Sequence, residues 1–255
     1  MINMINLFSL ITGIFISGVA AYLGTLMLSK RMALVAGPLG HLALPGIALA
    51  LIYGFDITLG AFPFIILGII LIWVFELRTK LPMEALTAVV FASGVAIAFL
   101  FLPIEQAKTA LIGDVSRVGL YDTIISVTLS SIIFVILKRS YSKFVMLNIS
   151  EDLARVQGID VKKYNLIYLA LIGVVVALGV KIVGGLLTAA LVAIPAAASR
   201  NLSKNLFEYS FLSILFGIFS CTGGIFLAQV FNMPAGTLII LVNTLIFLVS
   251  VVLKR

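Results

Sequence analysis

The chain has 255 residues, 62% of them hydrophobic and only 11% charged, with a formal net charge of +7. A soluble domain carries roughly 25% charged residues, so no soluble core hides this much apolar surface, and the basic excess reports membrane topology rather than nucleic acid. The single Cys221 and single His41 exclude an internal disulfide and zinc-finger or iron–sulfur spacing.

Apolar runs predict nine membrane-spanning helices at 5–28, 39–53, 57–75, 85–102, 121–137, 164–180, 183–198, 209–230 and 235–253. Lipid leaves no backbone group a water partner, and the runs are long and lack period-two alternation. The predicted fold is therefore an all-α, polytopic integral membrane bundle forming one domain over 1–255. The first run is followed by Lys30 and Arg31 and preceded by no basic residue, the reverse of a signal peptide. With the N-terminus outside, 14 of the 17 Lys and Arg residues fall inside, leaving Lys108, Arg117 and Lys181 outside. That asymmetry predicts an N-out, C-in orientation in the cell membrane.

Small residues four apart, Gly13 and Ser17, Ala20 and Gly24, and Gly217 and Cys221, predict close helix–helix approach. Pro45 and Pro195 fall inside spans, where each removes a backbone donor and can kink a helix or interrupt it beside a cavity. Glu84 is read as the only carboxylate near a span interior, at the cytoplasmic interface or as a helix cap. The hydrophilic segment 103–120 is expected outside. Lys181, at the external end of the sixth span, either snorkels to the interface or lines the external mouth. The charge-free run 209–253 would be about 67 Å long as one helix, roughly twice the hydrocarbon thickness, so it turns near Asn232 and Pro234.

The cytoplasmic segment 138–163 has structure of its own. Asn148 or Ser150 can cap a short helix whose first turn holds Glu151 and Asp152, Gly158 suits its C-terminus, and Asp160 starts a second helix. Leu153, Val156 and Ile159 form a small apolar stripe, which rests on the membrane or bundle or docks a partner.

The stretch Glu151-Asp152-Leu153-Ala154-Arg155-Val156-Gln157-Gly158, continuing to Ile159, stands about twenty residues before Lys181-Ile182-Val183-Gly184. Ala193-Ile194-Pro195-Ala196-Ala197-Ala198-Ser199-Arg200 follows, and His41-Leu42-Ala43-Leu44-Pro45-Gly46 stands near the N-terminus. Together, in this order, these motifs resemble the permease subunit of ATP-binding-cassette metal importers of the zinc and manganese uptake type. The resemblance implies a type II-like importer permease in which 151–159 is the element that docks a separate cytoplasmic ATP-binding subunit. It also implies an external substrate-binding protein, a homodimer, no permanently bound cofactor, and a divalent metal ion as cargo.

The chain contains no G-x-x-x-x-G-K-[ST] phosphate loop, so it cannot hydrolyse ATP itself. A neutral imidazole ligates transition metals, which makes His41 the candidate metal ligand and, with Pro45 and Pro195, the candidate translocation path. Members of the resembled family usually carry Asp four residues before this His and Ser just before it, where this chain has Gly37 and Gly40. The departure removes a hard oxygen ligand and leaves a metal chelate or a cobalamin-like compound as the alternative cargo. A membrane-embedded enzyme would need clustered His, Asp, Glu or Cys in the spans, which one His and one Cys do not supply. A passive channel would conduct without ATP.

Overall fold

The computed structural model describes residues 7–30, 32, 36–79, 81–101, 115 and 118–254. Every regular helix of four residues or more among them is α-helical: α1 (Leu7–Ser29), α2 (Ala36–Leu42), α3 (Leu44–Tyr53), α4 (Ile57–Thr79), α5 (Met83–Phe101), α6 (Leu120–Ile149), α7 (Glu151–Val156), α8 (Val161–Leu202), α9 (Leu206–Phe231) and α10 (Ala235–Val252). Six segments are long and apolar enough to cross a bilayer: α1, α4, α6, the first limb of α8 (Val161–Val180), α9 and α10. The expected segment 103–120 lies mostly outside the described residues, as do Arg31, Lys80, Arg255 and the side chain of Lys181.

The predicted second span, 39–53, is two short helices. Pro45 has no N–H to donate into the preceding turn, and the chain breaks at Ala43 between α2 and α3. Pro195, by contrast, is accommodated inside α8 without leaving helical dihedrals. The predicted fifth span ends at 137, but α6 continues to Ile149, so 138–149 is helix rather than loop.

The predicted sixth and seventh spans are the two limbs of α8, separated by Gly184 at φ 81°, ψ 164°, a conformation essentially reserved for glycine. The limbs fold back on each other. A Cβ on Gly179 would lie 3.0 Å from Thr188 Cγ2, whereas nine residues of unbroken helix would separate these positions by about 13 Å. Both limbs of α8 consequently reach the C-terminal half of α1: Lys30 Nζ donates to Asn165 Oδ1 of the first limb at 2.7 Å, and a Cβ on Gly24 would lie 3.2 Å from Ala196 Cβ of the second. The turn expected near Asn232 and Pro234 is present: Asn232, at φ 52°, ends α9 and Pro234 caps α10.

Helix α1 is the central post, packed against α6, α8 and α9. The small-residue pairs set these distances. A Cβ on Gly13 would meet Cys221 Sγ at 2.7 Å, one on Gly217 would meet Ala21 Cβ at 2.7 Å, and one on Gly24 would collide with the Val192 carbonyl. Lipid tails are as apolar as the helices, so close van der Waals approach replaces the hydrophobic effect as the cohesive term. Ser213 Oγ adds a hydrogen bond to the Ala21 carbonyl at 2.7 Å across the same seam.

Candidate coupling element and translocation path

Helix α7 is six residues long, too short to persist without caps. Ser150, in an extended conformation, supplies the first: its Oγ accepts from Leu153 N–H at 3.3 Å, while Glu151 and Asp152 oppose the positive end of the helix. At the other end Gly158 adopts φ 75°, and Gly158 and Ile159 donate N–H to the carbonyls of Arg155 and Ala154 at 3.0 Å. Asp160 then caps α8 by accepting from Lys163 N–H at 3.1 Å. These are the residues that the sequence assigns to this turn, with Ser150 rather than Asn148 as the cap.

The expected apolar stripe divides. Leu153 and Val156 are 56% and 86% exposed, whereas Ile159 is half-buried against the core and Ala154 is fully buried. Asp152, Arg155, Gln157 and Gly158 are also exposed, and Glu151 is partly so. Helix α7 thus keeps one small side chain against the bundle and turns a polar-rimmed apolar pair outward.

Behind α7 lies a polar cluster that sequence reading missed. Asn148 Nδ2 donates to the Leu26 carbonyl at 3.0 Å and caps the last turn of α1. Asn165 Nδ2 donates to Glu76 Oε1 of α4 at 2.9 Å and to Glu151 Oε1 at 3.4 Å. Lys30 Nζ sits 4.0 Å from Glu151 Oε1 and 5.7 Å above the Tyr168 ring. Burial lowers the Lys30 pKa from its ordinary value, and the nearby Glu151 carboxylate opposes that shift. Hydrogen bonds with a charged partner contribute about 1.5–3 kcal/mol when desolvated, more than the exposed Glu151–Arg155 pair at 3.9 Å. The cluster borders an open cavity of about 810 Å³ that also reaches Glu84 and Lys162. The carboxylate drawn into the bundle is therefore Glu76; Glu84 lies exposed in the first turn of α5.

The candidate path residues are less tightly gathered. His41, half-buried near the end of α2, packs its ring against Phe91 of α5 with centroids 5.3 Å apart. Gly37 faces Ala189 of α8, whose Cβ would lie 3.2 Å from a Cβ placed there. Pro45 opens α3, and the next residue, Gly46, lies against the Gly60 carbonyl of α4. Pro195 is buried in the second limb of α8, beside Ala196, which faces Gly24 of α1. His41 and Pro45 thus share the α2–α3 break, and Pro195 belongs to the wall formed by α8 and α1. Among the described residues no group of three or more His, Cys, Asp or Glu side chains forms a metal-ligand cluster.

A model described as the ABC 3 transport family matches residues 3–254. The "Manganese import system permease protein ScaB" of Streptococcus gordonii is 27% identical over 246 residues, covering 95% of this chain and 88% of the relative. The "High-affinity zinc uptake system membrane protein ZnuB" of Buchnera aphidicola subsp. Schizaphis graminum is 26% identical, covering 96% of each. Among solved structures, PsaBC from Streptococcus pneumoniae in complex with Fab superposes with a TM-score of 0.81 at 26% identity, covering 95% of this chain and 89% of that one. An inward-facing putative metal-chelate type ABC transporter shares the fold, with a TM-score of 0.76 at 18% identity over 96% of this chain and 84% of that one.

Proposed function

The chain belongs to the ABC 3 transport family, and from that premise we propose that this multi-pass membrane protein is the permease of an ATP-driven importer for a divalent metal ion, zinc or manganese. The names of its zinc- and manganese-transporting relatives support the cargo. In this reading two copies assemble, an external binding protein delivers the ion, and separate cytoplasmic ATP-binding subunits drive alternating access. The chain crosses the membrane nine times, N-out and C-in, with α2–α3, α5 and the second limb of α8 adding three crossings to the six of the longer apolar segments. His41 lines the path beside the α2–α3 break.

The observation that carries this reading is α7, a helix capped at both ends whose exposed face carries the apolar pair Leu153 and Val156 within a polar rim. A six-residue helix fixed so firmly, with its largest side chains in water, fits insertion into a cleft of a partner subunit better than it fits packing within the chain.

The test is co-purification of the chain with candidate ATP-binding subunits, comparing wild type with Leu153→Asp/Val156→Asp. Both side chains already face outward, so the double variant should fold and lose the subunit. Equal binding by the two proteins would overturn the docking assignment. Entry of Zn²⁺ or Mn²⁺ in competition with a metal chelate then decides the cargo, and flux without ATP would replace the importer reading with that of a channel.

A further inference from the structure

Four elements that the transport reading treats separately converge on one amide. Asn165 of α8 is 3% exposed. Its Oδ1 accepts from Lys30, just past α1, and its Nδ2 donates to Glu76 of α4 and to Glu151 of α7. The orientation of the amide is dictated by charge. Turned over, it would set its NH₂ against an ammonium and its oxygen against two carboxylates. No other neutral side chain of this length offers one acceptor to a cation and two donors to two anions.

The placement of these partners gives the contact a mechanical consequence. Helix α7 packs against α6 and α8. Its polar links to α1 and α4 run through Glu151, Asn165 and Lys30. Helix α4 in turn is locked to α3 where Gly46 and Gly60 meet, and to α2 where Leu42 fills the space beside Gly68. Whatever moves Glu76 therefore moves the bed on which His41 lies.

We propose that Asn165 is a positioning residue through which displacement of the coupling helix α7 is passed to α1 and α4, and that it acts by hydrogen-bond polarity rather than by shape. The inference rests on the importer reading above and assigns the relay inside it.

Asn165→Asp is the discriminating variant. A carboxylate there still accepts from Lys30 but has nothing to donate to Glu76 or Glu151. In the double variant Asn165→Asp/Glu76→Gln the amide at 76 donates to the carboxylate at 165, restoring that bond with its polarity reversed. Proteoliposomes holding the chain with its ATP-binding subunit and external binding protein are assayed for ATP hydrolysis and for Zn²⁺ or Mn²⁺ entry on one sample.

Expected for Asn165→Asp is retained subunit binding and hydrolysis, with ions entering per ATP reduced by about tenfold, a typical size for the loss of one coupling contact. The double variant should recover most of that ratio. If Asn165→Asp does not purify as a single species, Glu76→Ala, which cuts only the α4 arm, should show the same fall. An unchanged ion-to-ATP ratio in the variant that purifies overturns the proposal. So does a double variant no better than Asn165→Asp, or a loss of subunit binding that accounts for the whole transport defect. Wild-type entry that ignores ATP would instead sink the importer reading, and with it the relay.

Discussion

Gly46 and Gly60 hold α3 and α4 backbone against backbone: a methyl group on either would strike the carbonyl oxygen of the other. A flexible side chain could swing aside, but a carbonyl cannot, so the helices must separate to admit even one carbon. Helix α3 opens with Pro45 just after the α2–α3 break, and α4 packs on both sides of that break, through Gly60 against Gly46 and through Gly68 against Leu42.

Gly46→Ala should therefore lower stability by about 1–3 kcal/mol, as overpacking at a rigid contact does. The check is the apparent melting temperature of the detergent-solubilised protein. A glycine elsewhere with open space around it, such as Gly223, whose nearest neighbour for a Cβ is Val242 at 3.8 Å, should accept alanine without loss.

Gly184→Ala should cost about 1–3 kcal/mol for a different reason. Its φ of 81° with ψ of 164° is a region that a Cβ makes unfavourable, irrespective of neighbours. Limited proteolysis or a thermal shift would report the loss, and a variant as stable as wild type would show that the fold-back tolerates another backbone geometry.

Ser150→Ala removes the only side-chain cap at the start of α7, and caps of this type contribute about 1 kcal/mol. Applied to a six-residue helix, that loss should weaken binding of the ATP-binding subunit by up to about fivefold, since affinity scales with the population of the docking conformation. Binding measured against Ser150→Asp, which can still accept from Leu153 N–H, separates lost capping from a lost hydroxyl contact with the partner.

His41→Ala should reduce metal entry sharply while leaving the subunit bound, because His41 packs on Phe91 of α5, on a helix separate from α7. His41→Gln, which keeps a polar tip of similar reach, should fall between the two. Uptake indifferent to both substitutions would remove His41 from the path.

The short helix α7 and its flanking turns were legible in the sequence because their signals are local: Ser150, Gly158 and Asp160 each act on backbone within four residues of themselves. The same holds for the turn at Asn232 and for the break before Pro45. The polar cluster was not legible because its partners are 89 and 135 residues apart and each sits at the edge of an apolar run. Glu76 follows directly on the run 57–75 and reads as its solvated end. Asn165 reads as an incidental polar residue in the sixth span. One signal was present: an acid and an amide at the same end of two spans each need a partner that lipid cannot provide. The extent of α6 was missed because Lys138, Arg139 and Lys143 look like the close of a span, although long basic side chains are tolerated on a helix that continues past the membrane surface.

The fold-back at Gly184 also bears on how the protein is made. The two limbs of α8 are joined by a single non-helical residue, with no loop in which one limb could wait while the other settles. If both limbs enter the membrane, as the nine-span reading has it, a translocon that releases helices one by one has no stopping point here, and the limbs should leave it together, as a pair in contact near Gly179 and Thr188. Ribosomal pausing or a chaperone that separates nascent helices would act on this pair as a unit, and an affinity tag inserted at its tip would interfere with biogenesis before it could interfere with transport.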